Sequence, residues 1–283
     1  MFKLRHLVVL CLSVFLLVVG TSSFAQAPPP PPDYFPLPVG AKWIYDSSSL
    51  NPGIPKDSTE DANSIAELKQ LGTTYDIEQT AEVVATEKQE DGSTWYKQKF
   101  YTDASMPFYI WYSKPSGWVK RHREMSERNG QVVLDDYYVR ASDQAKVMDF
   151  LKNPPTVDST WAWKGNRPSP QVPPTKTETF LDESNQVMSV EEVKVPAGTF
   201  KAVKVVTPGV QTTKTIISIP NMEDRTIESK VNLTKTTWYV NHLGYVKSKV
   251  LSVVDDPNIK TKNISISELK QYCFPKKGCV PKA

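Results

Sequence analysis

The sequence predicts a mainly β protein: a strongly bent antiparallel sheet, a half-barrel that carries one or two short helices. Three observations carry that expectation. β-Branched residues alternate at period two, as in Val193, Val195, Val203 and Val205. Turn signals such as Glu90-Asp91-Gly92, Asn129-Gly130 and Pro196-Ala197-Gly198 cut the chain into short segments. Finally, two motifs recur in the same order in each half, as two related β-meanders would require.

Residues 1–25 read as an export signal. Lys3, Arg5 and His6 give a positive start, Leu7 to Gly20 is almost wholly apolar, and Ser23-Phe24-Ala25 offers small residues for cleavage. The apolar run of about 14 residues is shorter than the ~20 that span a bilayer, so no transmembrane segment is expected after cleavage. Cys11 lies inside that run without small residues before it, and no lipidation site is read there. Residues 26–33, with five consecutive prolines from Pro28 to Pro32, form a stiff polyproline spacer.

Charge excludes one class of function. The chain has 34 Lys and Arg against 31 Asp and Glu, and Lys3 and Arg5 leave with the signal. The balanced, interspersed surface that remains offers no field to steer nucleic acid, and no nucleic-acid partner is expected. The roughly 258 residues left suffice for one large all-β domain or two small ones.

Order begins at Phe35-Pro36-Leu37-Pro38-Val39-Gly40, feeding a strand on which Trp43 and Tyr45 share a face. Pro154, Val157, Trp161 and Trp163 repeat the spacing of Pro36, Val39, Trp43 and Tyr45. Ser58 to Leu71 reads as a helix, with Ile65, Leu68 and Leu71 three apart, Glu60 and Asp61 near its start and Gly72 past its end. Its aliphatics should lie on a sheet face. From Tyr75 to Arg140 the chain reads as a meander holding the first Trp111-Tyr112…Gly117-Trp118-Val119-Lys120 hairpin. Ser142 to Leu151 is compatible with a second short helix, and Gly165 to Pro174 with a proline-rich loop. Strands are expected at 177–181, 189–195, 199–207 and 212–219, then at 225–240 and 245–254, the last pair flanking the second motif, Trp238-Tyr239…Gly244-Tyr245-Val246-Lys247. Ile264 to Tyr272 closes the sheet. The expected division is 34–145 and 146–272, two meander halves merged into one curved sheet, with a tail at 273–283.

Cys273 and Cys279 meet an oxidising compartment if the chain is exported, and a disulfide is the expected pairing. A metal site would want further ligands, and the tail has no His; a redox pair would want closer spacing. No nucleophile elbow, phosphate loop or zinc-protease motif occurs, and neither a cofactor nor a catalytic or metal-binding residue is expected. His122 and His242 read as exposed residues of a strand and a turn. Asp135-Asp136, Glu191-Glu192 and Asp255-Asp256 are adjacent on strands and so point to opposite faces, which makes no acid–base dyad. Asp57, Glu60 and Asp61 are explained by a helix start rather than a calcium loop. The seven tryptophans are core residues or, if they face a concavity, a surface for sugars or apolar ligands.

Three stretches taken together resemble a broad family of exported bacterial proteins of unknown function: F-P-L-x-V-G-x-x-W-x-Y at 35–45, V-x-V-P-A-G-T-F at 193–200 and W-Y-x4-G-x-V-K at 238–247. More distantly the chain resembles the LolA/LolB-like group, which implies an incomplete antiparallel barrel open to apolar cargo. The 48–74 segment and the cysteine tail depart from that pattern. The resemblance carries over no catalytic residue. It gives Pro196, Gly198 and Phe200, Trp238 and Gly244, Trp111 and Gly117, and Trp43 and Trp161 structural roles. The functions compatible with this reading are a non-catalytic module that binds an apolar small molecule or lipidated partner, an envelope structural protein with a filled core, and a hydrolase using distant carboxylates.

Overall fold

The computed structural model describes residues 30–280 except 52, 103–106, 129–130, 170–174, 220–221, 260 and 276. The export signal, the start of the proline spacer, the Asn129-Gly130 turn and half of the proline-rich loop therefore lie outside the described residues. Along the rest, alternating burial draws the chain into strands β1 (Lys42–Leu50), β2 (Ile54–Pro55), β3 (Thr74–Lys88), β4 (Thr94–Tyr101), β5 (Phe108–Ser113), β6 (Trp118–Arg128), β7 (Gln131–Tyr137), β8 (Val139–Arg140), β9 (Met148–Lys152), β10 (Thr160–Arg167), β11 (Thr175–Val195), β12 (Gly198–Ile217), β13 (Arg225–Val240), β14 (Gly244–Val254), β15 (Thr261–Phe274) and β16 (Gly278–Val280). One helix, α1 (Ile65–Leu71), interrupts them.

All ladders are antiparallel, in the order β7-β6-β5-β4-β3-β1-β15-β14-β13-β12-β11-β10-β8. β15 sits between β1 and β14 and so joins the two ends of the chain's β meanders. At the other seam β9 pairs with β6, and β8 pairs with β10 through only Gly165↔Arg140 and Asn166↔Val139. The sheet thus curls into a nearly closed barrel whose thinnest closure is this two-residue ladder. Gly165 makes the crossing possible: a Cβ there would stand 2.1 Å from the Val139 carbonyl oxygen. Gly165, expected in a loop from sequence, is a strand residue where two backbones meet.

The first half's pairing is laid down a second time. Trp43 pairs with Ala81 and Trp161 with Asn185. Val83 pairs with Gln98, and Val187 with Val205, each just before a bulge. Lys97 pairs with Trp111 and Lys204 with Trp238. Laying Trp43 on Trp161 therefore brings the other partners into coincidence without a register slip. Opposite the step from tryptophan to tyrosine, the partner strand carries a bulge in both cases, at His122 on β6 and at Val246 on β14. The two ladders part only afterwards, where Trp111 pairs with Arg123 but Trp238 with Lys247, because the first turn is longer.

Two expected elements differ. The 58–71 helix begins only at Ile65, because Ser64 caps it by accepting the Glu67 N–H at 3.2 Å. Asp61, which the sequence offers as a helix-start charge, is instead paired with Lys249, and Ala62 is fully buried. The second helix, 142–151, is a turn followed by β9. Gln144 adopts φ +57°, which ends any helical run, and Met148 and Leu151 bury as strand residues paired with Arg121 and Val119. The expected strands 177–181 and 189–195 are parts of a single strand, β11.

The main core gathers Trp43, Tyr45, Val83, Tyr112, Val187 and Tyr239. α1 packs elsewhere, against Leu50, Ile264 and Ile266. Along β1, Trp43 and Tyr45 point one way while Ser48 and Leu50 point the other, so the helix covers the outside of the sheet. The Pro196-Ala197-Gly198 turn reaches across to β15, where the Ala197 N–H donates to the Leu269 carbonyl at 2.9 Å. Gly198 holds φ +133° with no heavy atom crowding its missing Cβ, so the demand for glycine there comes from the backbone alone. Gly198→Val is expected to lower stability by more than about 1 kcal/mol; an unchanged urea midpoint would contradict it. Cys273 and Cys279, directly opposed on β15 and β16, form a disulfide.

Candidate functional site

The inward face of the sheet encloses a hollow with two adjoining lobes of about 310 Å³ and 230 Å³. Both lie at the small end of, or just below, the ~300–1,000 Å³ of small-molecule sites. The residue after each motif tryptophan builds it. In W-Y the tyrosines Tyr112 and Tyr239 face in, and by strand alternation Trp111 and Trp238 face out. The outward pair is buried beneath cations: Lys97 and Arg123 over Trp111, Lys204 and Lys247 over Trp238. The opener tryptophans face in, Trp43 on the first lobe and Trp161 on the second.

The first lobe is mostly aromatic. Tyr45 and Tyr245 stack at 4.4 Å, and the Tyr45 hydroxyl donates to the Tyr245 carbonyl at 3.0 Å. Phe100 and Phe108 stack at 4.7 Å, and Phe35 closes on Tyr112 and Phe150 at 5.0 and 5.5 Å. Trp43 Nε1–H donates to the Leu243 carbonyl at 2.7 Å, tying the opener of the first half to the hairpin turn of the second. Burial holds the Tyr45, Tyr239 and Tyr245 hydroxyls above the usual phenol range, so they stay neutral donors.

A short strap holds Phe35 in place. The Asp33 carboxylate accepts from Lys114 and Asn153, and the Asp33 N–H donates to Asn241 Oδ1 at 2.7 Å. Lys114 and Asn241 stand at the same position of the two W-Y-x4-G turns, so Asp33 ties both turns. Burial works against the Asp33 charge, yet the bonds from Lys114 and Asn153 hold its pKa below the ordinary value.

The wall between the lobes is polar. Arg121, Tyr138, Phe150, Arg167, Lys235, Thr237 and Tyr239 border both. Arg121 lies 3.8 Å over the Phe150 ring, and Lys235 lies 5.7 Å from the same ring. Burial, with the Arg121 charge second, brings the Lys235 pKa down to about 8 against the pull of Glu183. Glu183 is pushed up by burial, only partly offset by Lys235, Arg121 and Arg167. Glu124 accepts from the Tyr138 hydroxyl at 2.8 Å.

His122 is not the exposed strand residue expected from sequence. It is half-buried, stacked on Trp95 at 4.1 Å, with Nε2 2.7 Å from the Ser113 hydroxyl. Neither Ser113 nor His122 borders the hollow, so their contact reads as structural. Burial, with the Lys120 charge, brings its pKa down to about 4 against a bond to the Lys146 backbone and the Asp91 charge. The depressed value means that the unfolded chain takes up this proton first. The stabilisation is complete above pH 6.5 and is lost as pH falls toward 4. An NMR titration is expected to place this imidazole near 4, and a midpoint near 6.5 would contradict the burial. His242 is exposed in its turn, at φ +59°.

Of the residues singled out from sequence, Trp43, Trp161 and Gly244 border the hollow. Trp111, Trp238 and Gly117 shape the strands and turn around it, while Pro196, Gly198 and Phe200 lie at the β11–β12 tip, away from it. Arg121, Arg167, Lys235 and Glu183 were missed. Arg121 lies in Lys120-Arg121-His122-Arg123, a charge run that reads as a solvated face; only the inward setting of Tyr112, its register partner, marks it as internal.

Among the described residues no helix is long and apolar enough to cross a membrane, and no cluster of metal-ligating side chains occurs. No protein-family model and no curated protein matches the chain. Among solved structures, it is similar to a protein of Parabacteroides distasonis described as a lipoprotein, with 12% identity over 86% of this chain and 99% of that one, at a TM-score of 0.41. It is also similar to a Bacteroides fragilis protein described as an exported protein with a YmcC-like fold, with 13% identity over 85% and 99% at a TM-score of 0.38. Likeness at that level brings no function to this chain.

Proposed function

We propose that the chain is an exported, non-catalytic binding module that holds a ligand with an apolar body in its hollow. The observation that carries this reading is the aromatic first lobe, which stays open although Phe35 is packed into its end. The export part rests on the basic and apolar N-terminal residues. The filled-core alternative is weakened because α1 packs on the outside of the sheet and contributes nothing to filling the hollow. The hydrolase alternative would use Glu124 and Glu183, but they line different lobes rather than flanking one bond.

Titration with the neutral apolar fluorophore N-phenyl-1-naphthylamine tests the proposal. Saturable emission enhancement is expected, weakened roughly tenfold by Thr237→Trp, which would fill the wall shared by both lobes. Absence of saturable binding to the folded protein, or binding that is indifferent to Thr237→Trp, would overturn it.

A further inference from the structure

We infer that the ligand is an amphiphile with one acidic head, a carboxylate or a phosphate, seated against Arg121, Lys235 and Arg167, with its apolar body in the aromatic lobe. This rests on the hollow being a binding site, as proposed above.

Three cations border both lobes. None of them forms an ion pair within 4.0 Å with a described residue. Arg121 Nε is shut off from solvent and has no acceptor. Leaving a guanidinium or an ammonium in such a place without a counter-charge is unfavourable. Elsewhere this chain meets that cost with a partner: Lys247, buried on the outer face, lies 3.1 Å from Glu268, and Lys114 is held by Asp33.

The carboxylates facing the hollow do not balance the three cations. Glu124, which accepts from the Tyr138 hydroxyl, and Glu183 set two carboxylates against three cations, and neither lies within 4.0 Å of any of them. The Phe150 ring, with Arg121 on it and Lys235 near it, compensates both cations only in part. A single anion placed beside that ring would satisfy them. The planar guanidinium of Arg121 offers the paired donors that a carboxylate or a phosphate accepts. The stacked rings of the first lobe leave an apolar path from this wall toward Phe35. A neutral hydrocarbon would leave the cations unpaired, and a cationic amphiphile would add to the repulsion.

Calorimetry with the exported chain tests this with four probes below their micellar concentrations: dodecanoate, dodecyl phosphate, dodecanol and dodecyltrimethylammonium. Both anions are expected to bind roughly tenfold or more tighter than dodecanol, and the ammonium to bind weakest. The tighter of the two anions identifies the head as carboxylate or phosphate. Arg121→Met should remove most of the anion preference, read as the ratio of anion to dodecanol affinity. Lys235→Met should act in the same direction and carries the test if the arginine variant does not fold. Dodecanol binding as well as the anions, or an anion preference that survives Lys235→Met, would overturn the acidic head and leave the hollow as a site. Failure of all four probes would overturn both.

Discussion

Trp43→Ala is expected to destabilise the protein by about 3–5 kcal/mol, the range for truncating a large core aromatic. Trp43 is 3% exposed, packs against Phe274 at 5.6 Å, and its indole N–H satisfies the Leu243 carbonyl. Trp161, its counterpart in the second half, offers a control. It is buried too, but its Nε1 has no partner. Replacing each by phenylalanine separates packing from hydrogen bonding. Trp43→Phe should cost clearly more than Trp161→Phe, because only the first strips a buried carbonyl of its donor. Urea denaturation of the two variants checks the order; equal losses would show that the Trp43 bond contributes nothing.

The second large effect lies on the outer face. Lys247 and Glu268 are register partners on β14 and β15, each side chain 9% exposed, and their charges meet at 3.1 Å. Removing one partner leaves a buried uncompensated charge, so Glu268→Ala is expected to cost about 3–5 kcal/mol. Replacing both, as Lys247→Met with Glu268→Leu, should recover most of that loss, because an apolar pair of similar volume needs no desolvation. Lys120 holds the same place in the first motif and pairs with Asp149 across β6 and β9, but both are about a quarter exposed. Asp149→Ala, which also removes one of the two carboxylates paired with Arg140, should cost about 1 kcal/mol or less through these ion pairs. Chemical denaturation of the three variants measures the contrast, and a Glu268→Ala loss no larger than that of Asp149→Ala would contradict it.

Much of the fold was legible because period-two alternation and turn chemistry are local. The W-Y, P…V…W and V-P-A-G-T-F stretches fall on strands and turns as read, and the repeated motifs sit on a repeated ladder. The helix start was misplaced because Glu60 and Asp61 look like first-turn charges, whereas Asp61 is committed to Lys249, far away in sequence. Residues 142–151 misled for a related reason: Met148 and Leu151 are three apart, a helical spacing, but pairing with β6 overrides it.

The site was less legible. That Tyr112 and Tyr239 face in follows from alternation once the tryptophans are known to face out, and only pairing with Lys97 and Lys204 settles that. The cations of the hollow come from β6, β10 and β13, so no sequence window holds them together. Arg121 owes its inward setting to the bulge at His122, opposite the step from Trp111 to Tyr112, which shifts the alternation of β6 against β5. A one-residue event of that kind leaves no mark in composition.

The most direct measurement is native mass spectrometry of the chain isolated under mild conditions from the cells that make it, beside Thr237→Trp isolated in the same way. The account predicts one small acidic amphiphile per chain, released by organic solvent and absent from the variant. A bare chain in both preparations that also takes up none of the four dodecyl probes would contradict it.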